Sequence, residues 1–208
     1  MRPTTRYVWD RYSMAPIALV LIAAIVLGVI VAIRTNSGPN PGRSASPSSS
    51  IDRSAPDWFA ALPFNCLGSA GLGLAPTRSL ALIDGVGAAT QTGYDRVVIQ
   101  FAGGGPAQAQ LTTQLGATFP QKPSGKPVTL KGRNGALVTV PGADGHSRYS
   151  GPDDLKTGYP LVVEVRKVQD YKGTVQWAIG LAGVPCYRMA FLDSPVRLAI
   201  DFRSTPAV

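Results

Sequence analysis

Residues 196–203 read VRLAIDFR. Val196, Leu198, Ile200 and Phe202 fall on one side of a period-two pattern, and Arg197, Asp201 and Arg203 on the other. Side chains alternate faces along a strand, so this order fits a strand with one face in a core and the other in water. The same period runs back through the chain. In TVQWAIGLAG (174–183), Val175, Trp177, Ile179 and Leu181 share a face; in PCYRMAFLDSP (185–195), Tyr187, Met189 and Phe191 do. In DRVVIQFAGGG (95–105), Val97, Ile99 and Phe101 alternate with Val98 and Gln100 until three glycines stop the run. RSLALIDGV (78–86) and YPLVVEVRKVQDYKG (159–173) add two more apolar runs that end at glycine, and VTLKGRNGALVTV (128–140) reads as a hairpin turning at Asn134-Gly135. Only DWFAALPF (57–64) and PAQAQLTTQL (106–115) have the composition of short helices. With 23 glycines and 18 prolines in 208 residues, turns outnumber helices. The expected fold is mainly β: an antiparallel β-sandwich of seven or eight strands over residues 57–208.

The first third of the chain differs in kind. From Tyr12 to Ile33 there is no charge, and from Ala15 to Ile33 every residue but Pro16 and Gly28 is apolar. At 1.5 Å per residue this core covers roughly 28 Å, the depth of bilayer hydrocarbon. It is apolar all round, and Ile33 before Arg34 makes a poor cleavage site, so an uncleaved transmembrane helix at 15–33 is expected rather than a removed signal. Residues 1–14 become a short cytoplasmic tail, with Tyr7, Trp9 and Tyr12 at the interface and the C-terminal domain outside the cell membrane. Residues 34–56 are rich in Ser, Pro and Gly, with Ile51 alone as an aliphatic, and read as a disordered linker.

The net charge is +8, but the cations are scattered and no Lys/Arg run exceeds Arg166-Lys167. Nucleic-acid binding, which needs a clustered basic footprint, is not expected. Outside the cytoplasm the two cysteines, Cys66 and Cys186, read as a disulfide; two buried thiols are the competing reading, and their spacing argues against a redox C-x-x-C site. His146 is the only histidine and lies in the turn-rich GADGHSRYSG (142–151), too poor in partners for a zinc site. No G-x-S-x-G elbow and no phosphate-binding glycine pattern accompanies it. Asp153-Asp154 beside Gly151-Pro152 reads as a turn and helix cap. Asp95-Arg96, Asp201 and Arg203 read as cross-strand ion pairs or, alternatively, as a polar patch that grips a ligand. No cofactor is expected, and the chain is not expected to be an enzyme.

Four segments in order, GYDRVVIQFAG (93–103), HSRYSGPDDL (146–155), VVEVRKVQDYKGTVQWAIGL (162–181) and YRMAFLDSPVRLAIDFR (187–203), resemble the AMIN-like domain of actinobacterial membrane proteins, from about Arg78 to Arg203. That family is related to the N-terminal module of cell-wall amidases, a β-sandwich that binds peptidoglycan. The resemblance implies a non-enzymatic module facing the envelope, with peptidoglycan or an envelope protein as its partner. The chain departs from the family at Lys172, where an acidic residue is common. Tyr94, Asp95, Arg96, His146, Tyr149, Trp177 and Arg188 form the candidate ligand-binding set. Trp and Tyr faces on a sheet would suit sugar rings, provided they are exposed.

Overall fold

Runs with period two become strands, and their apolar sides meet. The computed structural model describes residues 51–75 and 79–204. One short helix, α1 (Asp57–Ala60), precedes β1 (Asn65–Cys66), β2 (Ser69–Gly73), β3 (Ala81–Gln91), β4 (Tyr94–Ala102), β5 (Gln108–Leu115), β6 (Thr118–Pro120) and β7 (Pro127–Thr129). Then come β8 (Asn134–Pro141), β9 (Ala143–Asp144), β10 (Asp154–Lys156), β11 (Val162–Tyr171), β12 (Thr174–Leu181), β13 (Pro185–Leu192) and β14 (Arg197–Ser204). Seven of the eight long strands, β3, β4, β8, β11, β12, β13 and β14, lie in segments expected to be strands, and β5 is an unexpected eighth; the others are short additions at edges and on outer faces.

Two six-stranded sheets result. The first runs β1-β13-β14-β4-β3-β9 and the second β10-β11-β12-β8-β5-β2; β6 and β7 pair separately. All pairings are antiparallel except the two-residue contact of β3 with β9. Both sheets contribute to one apolar cluster. Ile83, Val97, Ile99, Phe101, Leu198, Ile200 and Phe202 come from the first; Leu111, Val138, Val165, Val175, Trp177, Ile179 and Leu181 come from the second. Ten of them, on β4, β12 and β14, are positions that the period-two reading turns inward; Ile83, Leu111, Val138 and Val165 join them from segments to which that reading gave no inward face. The β11–β12 connection is a two-residue turn through Lys172 (φ 51°) and Gly173 (φ 67°), a shape that matches the twist of the strands it joins.

Three expectations about local structure fail. PAQAQLTTQL is strand β5, not helix. Its Ala109 and Leu111 are buried between flanking exposed residues, and the strand is held between β2 and β8. Asn134-Gly135 is not a turn. The pair opens β8, facing Leu181 and Gly180 on β12, and a Cβ on Gly135 would meet the Phe119 ring. That glycine serves close approach rather than chain reversal. Asp154 caps no helix: it lies on β10, opposite Arg166.

The outward face of the first sheet is not in water. Arg197 and Asp201, on the side that the period turns to water, are buried along with Arg96, Gln100 and Arg188; the cross-strand ion pairing expected of Asp201 is present, to Arg96 on β4 and Arg188 on β13. A strap, residues 51–64, covers them. Ile51 lies over Gly85 and Arg53 over Gly87, where added Cβ atoms would fall 2.8 Å and 2.6 Å from strap atoms. Phe59, fully buried, packs with Ala190, Leu192 and Ala199. The ordered body thus takes in Ile51–Pro56, the end of the expected linker. The matching face of the second sheet is covered by the β6–β7 hairpin, with Phe119, Ala117 and Leu130 against Val168 and Ala178. A disulfide joins Cys66 on β1 to Cys186 on β13, across an antiparallel pair. Among the described residues no helix is long and apolar enough to cross a membrane; the helix expected at 15–33 and the linker up to residue 50 lie outside them.

Candidate functional site

The period-two frame brings Tyr94, Arg96 and Arg188 together on the outward face of the first sheet. Asp201 sits between the two arginines: Oδ1 accepts from Arg96 Nε at 2.6 Å, and Oδ2 from Arg96 Nη2 at 3.0 Å and Arg188 Nε at 2.9 Å. Arg96 Nη2 also donates to the Tyr94 hydroxyl at 3.3 Å, and other guanidinium hydrogens reach the strap. Arg96 Nη1 donates to the Arg53 carbonyl at 3.1 Å, and Arg188 Nη1 to the carbonyls of Ala60 and Leu62. Phe59, Phe64 and Tyr94 lie 4.5 to 5.5 Å from the two guanidinium carbons. A buried carboxylate with two cations and several aromatic faces satisfies its own charge. It docks the strap, and Arg96, Arg188 and Asp201 are all buried beneath it. Asp95, on the inward side of β4, accepts the N–H groups of Leu161 and Val162 at 2.8 Å each and so ties the two sheets together at one end.

The other three expected site residues meet elsewhere. Trp177 is fully buried in the core, and Tyr149 packs against it edge to face with centroids 5.6 Å apart. Trp177 therefore offers no face to a sugar. Tyr149 donates to the Pro152 carbonyl, and burial, then the Asp153 carboxylate, pushes its hydroxyl up to about 12. His146 is exposed in the loop after β9, with Nδ1 3.3 Å from Asp144 and 3.2 Å from Asp170. Ligand atoms of Asp144, His146 and Asp170 lie within 4.8 Å of one another, close enough for a metal ion. Other groups already occupy that space. Lys167 Nζ stands 3.5 Å from Asp170, and Asp144 accepts the N–H groups of His146 and Ser147 and the Ser147 hydroxyl. Burial alone would raise Asp144; the bonds from Ser147 and His146 outweigh it and hold the carboxyl at about 2. The trio is accounted for as a lock on the loop.

A further cavity involves none of the expected residues. A groove of about 620 Å³ opens at the β10–β11 side of the second sheet, with Lys131, Arg133 and Lys156 on its walls and Gly132, Gly158 and Val163 between them. Buried Glu164 organises it. Its Oε2 accepts the Lys131 N–H at 2.8 Å, and its Oε1 lies 2.6 Å from Lys156 Nζ and 3.0 Å from Arg166. The Lys131 and Arg133 side chains have no carboxylate partner among the described residues, so the groove carries uncompensated positive charge. The only trace of this in the sequence is the pair of cations flanking Gly132; Lys156 and Glu164 arrive from later strands.

No curated protein matches the chain. The sequence model of the AMIN-like domain matches residues 81–204, which takes in every strand from β3 to β14 and leaves the strap, β1 and β2 outside. The matched segment includes the disulfide's second half, the Asp201 cluster and the whole of the cationic groove. With more than half of its 208 residues matched, the chain belongs to the AMIN-like domain family.

Proposed function

We propose that this chain is a membrane-tethered, non-enzymatic envelope protein whose exported β-sandwich binds a peptidoglycan-type wall polymer. Family membership supports the wall as its partner. The disulfide fits an oxidising compartment, and the apolar run at 15–33 fits a tether. The observation that carries the reading is the groove. Peptide stems of a wall polymer present carboxylates, and Lys131 and Arg133 offer two unpaired cations around an open cleft whose wall also carries Lys156, already paired with Glu164 and Asp154. Lys156 keeps its charge: burial would lower its pKa, but Glu164 and Asp154 outweigh that and raise it. Exposed charge pairs are individually weak, so affinity would come from many repeats along the polymer.

Co-sedimentation of the full chain in detergent with isolated sacculi tests this. Wild type is expected to pellet, and Lys131→Glu with Arg133→Glu to weaken pelleting about tenfold, as about 1.4 kcal/mol from two exposed charges would give. No pelleting above an unrelated basic protein would sink the proposal.

A second reading rests on β2. Among the described residues Ser69–Gly73 pairs only with β5; it carries no charge and ends the second sheet, whereas β10 at the opposite edge carries Asp154 and Lys156. An uncharged edge flanked by exposed Leu67 and Leu74 suits an added strand from a protein partner. A stoichiometric membrane partner recovered after the wall is digested would favour it.

A further inference from the structure

The strap does more than cover a sheet. Between it and the Leu192–Arg197 turn lies a second cavity of about 480 Å³, walled by Asp52, Ser54 and Trp58 on one side and Asp193, Ser194 and Arg197 on the other. We infer that this cavity is a pyranose subsite in which the Trp58 indole is the stacking platform. The inference deepens the wall-polymer reading and rests on it: it assigns the neutral sugar rings to this cavity and the acidic stems to the cationic groove.

Three observations carry it. First, Trp58 is 53% exposed although its neighbour Phe59 is fully buried. Phe59 anchors α1 to Ala190, Leu192 and Ala199, which leaves the indole at the cavity wall, where its apolar faces meet water. Second, the polar groups opposite are held rigidly. Arg197, only 4% exposed, donates to the carbonyls of Asp193 at 3.2 Å, Pro195 at 2.9 Å and Ser54 at 3.2 Å, and lies 3.1 Å from Asp52. Asp52 accepts the Ser54 N–H at 2.8 Å through one oxygen, so both cavity walls are joined through Arg197. Preorganised polar groups lose little freedom when a ligand arrives. Third, the lining is mixed in the way a sugar requires. A pyranose presents C–H groups on its faces and hydroxyls around its rim; an indole face meets the former, and the Asp52 and Asp193 carboxylates on the cavity wall accept from the latter, while buried Arg197 holds the wall in place.

A protein epitope fits less well. Of the large apolar side chains that the described residues expose, only Trp58 lines this cavity; Leu67, Leu74, Leu80, Leu115 and Tyr171 lie elsewhere. An anion fits less well too, since Asp52 and Asp193 outnumber Arg197. The volume lies within the range of small-ligand sites.

The probe is the tetramer of β-1,4-linked N-acetylglucosamine, titrated calorimetrically into the full chain in detergent. Wild type is expected to bind, Trp58→Ala to bind at least tenfold more weakly, and Trp58→Phe to lose only a few-fold because a ring remains. Thermal melting of Trp58→Ala should match wild type, as the side chain is half exposed. Absence of wild-type binding at millimolar tetramer, or Trp58→Ala within twofold of wild type, overturns the subsite. If sacculi still pellet in that case, the wall reading stands and only the subsite falls. Tetramer binding through Trp58 without sacculus pelleting would uphold the subsite and remove the wall reading.

Discussion

Each of the two sheets has an outward face, and the chain closes them by opposite means. Over β13, β14 and β4 the strap reaches charged and carbonyl groups: Arg96 and Arg188 bind both Asp201 and strap carbonyls, and Arg197 binds Ser54 and Asp52. Over β11, β12 and β8 the β6–β7 hairpin reaches mainly apolar groups, with Phe119 and Leu130 against Val168, Ala178 and Leu137. The difference lies in what each contact specifies. Apolar surfaces are tolerant of exact placement, whereas a buried cation must find its own acceptor or lose several kcal/mol. The charged face therefore fixes where the strap lies, to within a hydrogen bond. It also fixes Trp58, since Phe59 and the carbonyls on either side of it are what the arginines hold.

The largest expected effect breaks the charged face. Asp201→Ala leaves two guanidinium groups buried without a counter-charge and should cost about 3–5 kcal/mol, read from urea unfolding. Replacing Arg96, Asp201 and Arg188 together with apolar residues of similar volume should cost less than the single change, because no charge is then stranded. If Asp201→Ala proves neutral, the cluster is not what holds the strap. The apolar face gives the next effect. Phe119→Ala removes the main side chain of a small cluster and should cost about 3 kcal/mol through lost transfer energy and the cavity left behind. Its cost should barely change between low and high salt. A strong salt dependence would mean that the two faces are not held differently.

How much of this was legible beforehand follows from the same contrast. The inward positions of β4, β12, β13 and β14 are legible because period two is a local property of the chain. Trp177 carries that signal too; sharing a face with Val175 and Ile179 marks it as core, and only its chemistry, not its position, suggests a ligand residue. The outward face is illegible for a physical reason. Arg197 and Asp201 alternate as solvated residues do, and nothing near them in sequence announces a strap that arrives from residues 51–64 to bury them. PAQAQLTTQL misleads because Ala, Gln and Leu favour helices on propensity alone, while pairing to β2 and β8 decides the outcome. Asn134-Gly135 misleads because glycine serves turns and close packing alike. The groove escapes because its parts, Lys131, Arg133, Lys156 and Glu164, meet only once β8, β10 and β11 are in register.

The smallest effect sharpens the comparison with a charge that is held without a covering segment. Asp144 ends β9, and its partners are the N–H groups of His146 and Ser147 and the Ser147 hydroxyl, not a distant arginine. Those bonds depress its pKa from the ordinary 3.8 to about 2 in the folded chain. A carboxylate with a depressed folded pKa binds fewer protons folded than unfolded, so it adds stability above the unfolded value and loses it as pH falls through the folded one. The wild type should therefore lose stability between about pH 4 and pH 2 relative to Asp144→Asn, whose amide does not titrate. Urea midpoints of the two proteins at pH 5 and at pH 2.5 measure the difference. Asp201 is common to both and cancels, which isolates the local lock from the buried cluster. A wild-type midpoint that falls no further than the variant's would show that the loop bonds form equally well to a protonated carboxyl. The contrast between a charge satisfied locally and one satisfied across the fold would then rest on Asp201 alone.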